Sequence, residues 1–281
     1  MAKQQNKLWM NLTKWLWPTK HQEYISFGKL RRYNLAAAVL LGLQGIIVLL
    51  ISDPLRGVQP ITTNYLAQDK LSSEAAGHPV SVAATHHLFD LNIAYIVAAF
   101  FFISAIAHLA ISTFYRRRYE SDLKRGVNRT RWLEYSFSVS TMMVGIALLT
   151  GIYDIASLVM IFALTSVMSL MGLLMEYRNE NMQRVDWFGY LVGVGAGLVP
   201  WLVLVIYLLS AHAYGNGVPT FVYWIYGSLF LLFYSFAVNM YFQYKQLGRW
   251  STYLFGERAY IVLSFVAKTA LAWQVFAGTL H

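Results

Sequence analysis

The chain contains no cysteine, which excludes a disulfide framework and a thiolate metal site and leaves its redox compartment unread. Charge is scarce as well. Only 12% of the 281 residues are Asp, Glu, Lys or Arg, against about 25% in a soluble domain. With 57% of residues hydrophobic, this composition excludes a soluble globular protein and indicates a polytopic membrane protein. No nucleotide-binding glycine loop, paired catalytic carboxylates or serine–histidine constellation is present, and no enzyme is indicated. A cleavable signal peptide is not legible either: Lys14 interrupts the early apolar stretch and Trp17-Pro18 follows it.

What the chain does have is seven apolar runs, which predict an all-α membrane protein with seven transmembrane helices. They are Tyr33–Ser52, Leu91–Tyr115, Trp132–Tyr153 (interrupted only by Glu134), Ile155–Met175, two helices within the uncharged Trp187–Tyr244, and Ala259–His281. The long uncharged stretch breaks at the turn-rich segment 210–219. Pro200, in the fifth run, is expected to kink that helix and open room beside it. Residues 1–32 form a basic arm ahead of a membrane domain at 33–281. With Trp9, Trp15 and Trp17 among its lysines, the arm reads as resting on the lipid headgroups or as a plain basic tail.

The net charge of +9 would suggest nucleic acid in a soluble protein, but its placement points to the bilayer instead. Of 22 Lys and Arg residues, 19 lie in the amino-terminal arm or in the connections after helices two, four and six. The opposite side holds only Arg56 and Lys70. By the positive-inside rule the amino terminus is cytoplasmic and the carboxyl terminus external, in the cell membrane. The longest connection, 53–90, is then external. Its pieces Pro60-Ile-Thr-Thr-Asn-Tyr and Pro79-Val-Ser-Val-Ala read as a small hairpin, serving as a lid, an oligomer contact or a plain surface loop.

The remaining cation, Lys268, sits in the middle of the seventh run, ten residues from Arg258 and so about 15 Å along a helix. A lysine at that depth costs several kcal/mol. Two readings stand. It pairs with a buried acid and holds helices together, or burial favours the neutral amine, which can condense with an aldehyde. Among 13 acids, Glu134 alone sits clearly inside a run. It lies three residues past Arg131, about 4–5 Å deeper. Side chains lean toward the helix amino terminus, so Lys268 aims its amine toward the half from which Glu134 enters. Glu134 is therefore either the partner of Lys268 or an interfacial carboxylate paired with Arg131 or Arg129.

Ser264 lies one turn below Lys268, and Ser138 one turn above Glu134. Ser104 and His108 are also four apart on helix two, where His108 reads as an interhelix hydrogen-bonding group or as a proton acceptor. Tyr135, Met168, Trp201, Phe233 and Tyr234 are candidates to line a slot, alongside Trp132, Phe236 and Trp273. His86 and Asp90, four apart at the expected external end of helix two, have metal-like spacing but no third ligand.

The runs Arg131-Trp-Leu-Glu-Tyr-Ser-Phe-Ser, Val199-Pro-Trp, and Tyr253-Leu-Phe-Gly-Glu-Arg continuing through Ser264 and Lys268 to Trp273-Gln resemble the heliorhodopsin family. The resemblance extends from Tyr33 onward. It implies all-trans retinal on Lys268 as a protonated Schiff base, Glu134 as its counterion, an inverted topology and a homodimer. It also implies light sensing with a slow photocycle rather than pumping, with Ser138, Ser264, Ser104 and His108 near the Schiff base. Where some members carry a histidine three residues before Gln44, this chain has Leu41, which weakens a two-histidine proton acceptor. The reading is thus a photoreceptor signalling to an unidentified cytoplasmic protein. The alternatives are a light-gated ion conductor and a retinal-free transporter or scaffold with a structural Lys–Glu pair.

Overall fold

The computed structural model describes residues 25–215 and 217–280; the larger part of the basic arm, residues 1–24 with its three tryptophans, lies outside them. The described chain contains seven helices long and apolar enough to cross a membrane. In order, the elements are α1 (Phe27–Ile51), β1 (Val58–Gln68), α2 (Lys70–Ala76), β2 (Ser81–Asn92), α3 (Ile93–Ser112) and α4 (Arg116–Lys124). There follow α5 (Arg129–Leu149), α6 (Ile155–Asn179), α7 (Phe188–Tyr214), α8 (Thr220–Tyr244), a short 3-10 turn (Gly248–Ser251) and α9 (Tyr253–Val275). All but α2 and α4 are spans.

Polar caps, rather than the ends of the apolar runs, set where these helices begin. Ser26 accepts the amide of Lys29 at 3.2 Å, so α1 starts ahead of its basic residues instead of at Tyr33. Asn92 accepts the amide of Ala94 at 2.8 Å and starts α3. Asn128 does the same for Arg131 at 3.0 Å, which carries α5 back across Arg129 and Arg131. Each cap satisfies one of the amides that a helix start leaves without a partner. Between α7 and α8 the break is shorter than 210–219: α7 runs to Tyr214 with Pro200 inside it, and α8 resumes at Thr220.

The connection after α1 is the hairpin expected there, but longer. β1 and β2 pair antiparallel from Val58↔Asn92 to Gln68↔Ser81, with an irregularity between Ile61 and Thr62 and α2 at the tip. His86 and Asp90 are therefore on a strand rather than a helix end. His87 is the residue that meets Asp90, Nε2 to Oδ1 2.8 Å, and no group of three metal-ligating side chains occurs among the described residues.

The hairpin is fastened to the turn joining α5 and α6. Thr62 donates its amide to Tyr153 O at 2.9 Å, and Asn64 donates its own to Asp154 Oδ1 at 3.2 Å. The other oxygen of Asp154 caps α6, accepting from Ser157 N at 2.9 Å. The amide of Ser157, and then its hydroxyl and the amide of Asn64, hold the Asp154 carboxyl below its ordinary value of 3.8. Within the bundle, α5 is the most buried span and α8 the least, so the molecule is organised around α5.

Candidate functional site

Lys268 on α9 is 1% exposed. Its Nζ donates to Ser264 Oγ, one helical turn back, at 2.6 Å, and lies 3.2 Å from Glu134 Oε1 on α5. Ser104 on α3 donates its hydroxyl to that same Glu134 oxygen. Three helices therefore converge on one buried ion pair. Glu134 does not pair with Arg131 or Arg129: Arg131 turns to Glu176 and Glu257, while Arg129 pairs with Asp122 at 2.5 Å. The Tyr135 ring lies 5.2 Å from Lys268 Nζ, and its hydroxyl donates to Tyr260 O at 3.2 Å. Ser138, the next turn along α5 from Glu134, is fully buried.

Lys268 and Ser264 also face a cavity between α5, α6, α7, α8 and α9. Its volume is about 100 Å³, where one water needs roughly 10–15 Å³. Its walls are overwhelmingly apolar. Met168, Trp201, Phe233, Tyr234 and Tyr135, named as candidates above, all line it, with Trp132 and Phe236. Trp201 is 3% exposed and meets Phe233 edge-on at 5.7 Å, fixing two walls against each other. A glycine makes one wall possible: a Cβ on Gly172 of α6 would lie 2.4 Å from the Trp132 ring, so only glycine lets that indole lie across the helix. Trp273 is elsewhere, donating from Nε1 to Gln44 Oε1 at 3.0 Å.

His108 stands apart from the ion pair's direct contacts. Its Nδ1 meets Asn34 Oδ1 of α1 at 2.8 Å, and Asn34 Nδ2 reaches Tyr119 Oη of α4 at 3.4 Å. Its Nε2 is buried without a hydrogen-bond partner and borders a second, small cavity shared with Glu134, Tyr135, Arg131 and Glu257.

Arg131 and Glu257 border that small cavity, and Glu176, which sequence reasoning did not single out, meets Arg131 from α6. Glu176 and Glu257 stand near the ends of their runs, yet each is 1% exposed. Arg131 bridges them, Nη2 to Glu176 and Nη1 to Glu257, stacked 3.9 Å from the Tyr260 ring centre. Asn128 closes the cluster, giving its amide to Glu176 and its Nδ2 to Glu257, both at 2.7 Å. The one local signal is the Asn128-x-x-Arg131 cap, which turns the helix start inward. Without it, the three charges look solvated.

A search of curated proteins returned no match. The family model for heliorhodopsins matches residues 30–280, nearly the whole chain. It spans the buried lysine, its carboxylate partner and the aromatic cavity alike. The chain therefore belongs to the heliorhodopsin family, light-responsive retinal proteins of the membrane.

Proposed function

We propose that this protein is a photosensor carrying all-trans retinal as a protonated Schiff base on Lys268, with Glu134 as counterion. It sits in the cell membrane with its amino terminus cytoplasmic, works as a homodimer rather than as an enzyme, and passes its signal to a cytoplasmic protein. The observation that carries this reading is a buried amine that faces both a carboxylate at 3.2 Å and a long-walled apolar cavity. A polyene aldehyde needs that combination: aromatic walls for its chain, one amine for its carbonyl, one anion for the charge that results. Bound there, retinal supplies the absorption of visible light and a change of shape.

The protein's own residues do the rest. Glu134 balances the cation, and Ser104 and Ser264 orient the pair. Trp201, Phe233 and Tyr234 exclude water from the polyene side. The basic surface is the output face, because the arginines Arg117 and Arg118 are exposed there. Dimer formation is supported by the apolar side chains that the hairpin exposes, Tyr65, Leu66 and Phe89 among them.

A light-gated conductor finds one observation in its favour, the chain His108–Asn34–Tyr119 leading from the neighbourhood of Glu134 toward α4. Beyond Lys268 toward the hairpin, Leu271, Ala272 and Val275 of α9 bury apolar surface, which weighs against that reading. The test is to add all-trans retinal to the full-length protein, record its visible spectrum, and measure photocurrents in voltage-clamped cells. A visible band without stationary current is expected. No band would leave Lys268–Glu134 as a structural pair, and a sustained current would make the protein a conductor.

A further inference from the structure

The buried charges do not balance on the α4 side of the ion pair. Lys268 is matched by Glu134, Arg129 by Asp122 and Arg125 by Glu180. Arg131 alone faces two carboxylates, and both are 1% exposed. Among the described residues, the other groups packed on the cluster are neutral: Asn128 at the start of α5, Tyr253 and Tyr260 on α9, Tyr244 on α8, Tyr119 on α4 and His108 on α3. Arg258, next to Glu257 in sequence, lies instead over the rings of Phe255 and Tyr33, at 4.9 and 6.0 Å. An uncompensated negative charge so deep is too costly to persist; such a group takes up a proton instead.

We propose that Glu176 and Glu257 together hold one proton at neutral pH, forming a proton-binding site beside the Lys268–Glu134 pair. The proton is assigned to the pair because both carboxylates meet the one guanidinium of Arg131. Glu176 accepts from Asn128 N, Arg131 and Tyr253 Oη, while Glu257 accepts from Arg131 and Asn128 Nδ2.

A second observation points the same way. Glu257 borders the small cavity that also holds Glu134 and the unpartnered Nε2 of His108, a side chain more than nine-tenths buried. The volume of that cavity is about 20 Å³, enough for one water at roughly 10–15 Å³. One water there places the shared proton a single relay from both His108 and Glu134. The site is built from this chain alone and does not depend on retinal.

Infrared spectroscopy on full-length protein in lipid nanodiscs, in the dark and without retinal, tests it. The carbonyl stretch of a protonated carboxylic acid should be present at neutral pH and should move with carbon-13 labelling of glutamate. Glu176→Gln and Glu257→Gln should each abolish it, because one carboxylate then pairs with Arg131 and no surplus remains. Glu134→Gln should leave it in place. Arg131→Gln should double it, both acids then being neutral. Absence of the band in the wild type, its survival in either Glu176→Gln or Glu257→Gln, or its loss in Glu134→Gln would overturn the proposal. If Arg131→Gln fails to fold, the wild type and the three glutamate variants still decide.

Discussion

Glu134 presents a single oxygen, Oε1, to both Lys268 Nζ and the Ser104 hydroxyl, so the carboxylate cannot turn to one without keeping the other. A fixed anion at the lysine end of a protonated Schiff base stabilises the ground state more than the excited state, in which the positive charge has moved away, and shifts absorption to the blue. With retinal bound, Glu134→Gln should therefore absorb to the red of the wild type at neutral pH, or be already partly colourless in the visible. It should also lose the red shift that acid produces in the wild type. Visible spectra across pH check this. A variant that kept the wild-type maximum and both titrations would remove Glu134 as counterion.

Lys268→Ala should bind no visible chromophore. Viewed alone, the substitution removes a costly buried charge. Next to Glu134 it strands one instead, and breaking a buried pair costs about 3–5 kcal/mol. Lys268→Met combined with Glu134→Gln removes both charges and should recover most of that loss. Thermal unfolding of the three proteins in one detergent measures the difference. A stable Lys268→Ala protein with a hydroxylamine-resistant visible band would end the assignment.

Orientation is testable on a background free of cysteine. Ala75→Cys, on the exposed tip helix of the hairpin, should react with an impermeant thiol reagent on intact cells. Ser121→Cys, exposed on α4, should react only after lysis. Gly126 is a poor choice on the same side, because its φ of 73° suits glycine and strains any other residue. The reverse labelling pattern would invert the topology.

Asp154→Ala should loosen both things that its carboxylate holds, the start of α6 and the root of the hairpin. Loss of a cap costs about 1 kcal/mol. Hydrogen exchange should rise at the amides of Ser157 and Asn64, which donate to it at 2.9 and 3.2 Å. Since the folded protein holds this carboxyl below 3.8, its contribution is complete above that value and fades as pH falls through the lower, folded one. In the wild type, protection of those two amides relative to their intrinsic exchange rates should therefore fall only in acid. Equal protection in Asp154→Ala would show that the strand pairing alone holds the hairpin.

How much of this was legible in the sequence depends on where each residue sits in its run. Lys268 and Glu134 stand out because a charge inside an apolar stretch is visible locally. The seven spans are legible for the same reason. Glu176 and Glu257 are not, since a charge at the end of a run looks the same whether water or another helix covers it. Their burial follows from α6 and α9 crossing beside the Asn128 cap, a relation among three distant segments. Asn34 and Tyr119 escaped notice likewise, one lying just beyond the arginines of α1 and the other within a basic connection. Helix starts depart from the apolar boundary by a few residues, ahead of it where Ser26 and Asn128 cap and just behind it where Asn92 does.

The helix α8 is held unevenly. Only Leu229, Asn239, Met240 and Gln243 are buried among its described residues, three of them near one end. At that end Asn239 accepts from Trp250 Nε1 at 2.6 Å and donates to Gly256 O at 3.3 Å, fastening the helix to the corner that leads into α9. Along the rest of its length α8 meets the cavity through Phe233, Tyr234 and Phe236 with little packed behind them. It is therefore a lever clamped at its basic end. In the proposed photosensor, an occupant that changes length would bear on the loosely packed arm, and the clamped corner bearing Lys245 and Arg249 is where that push would be felt.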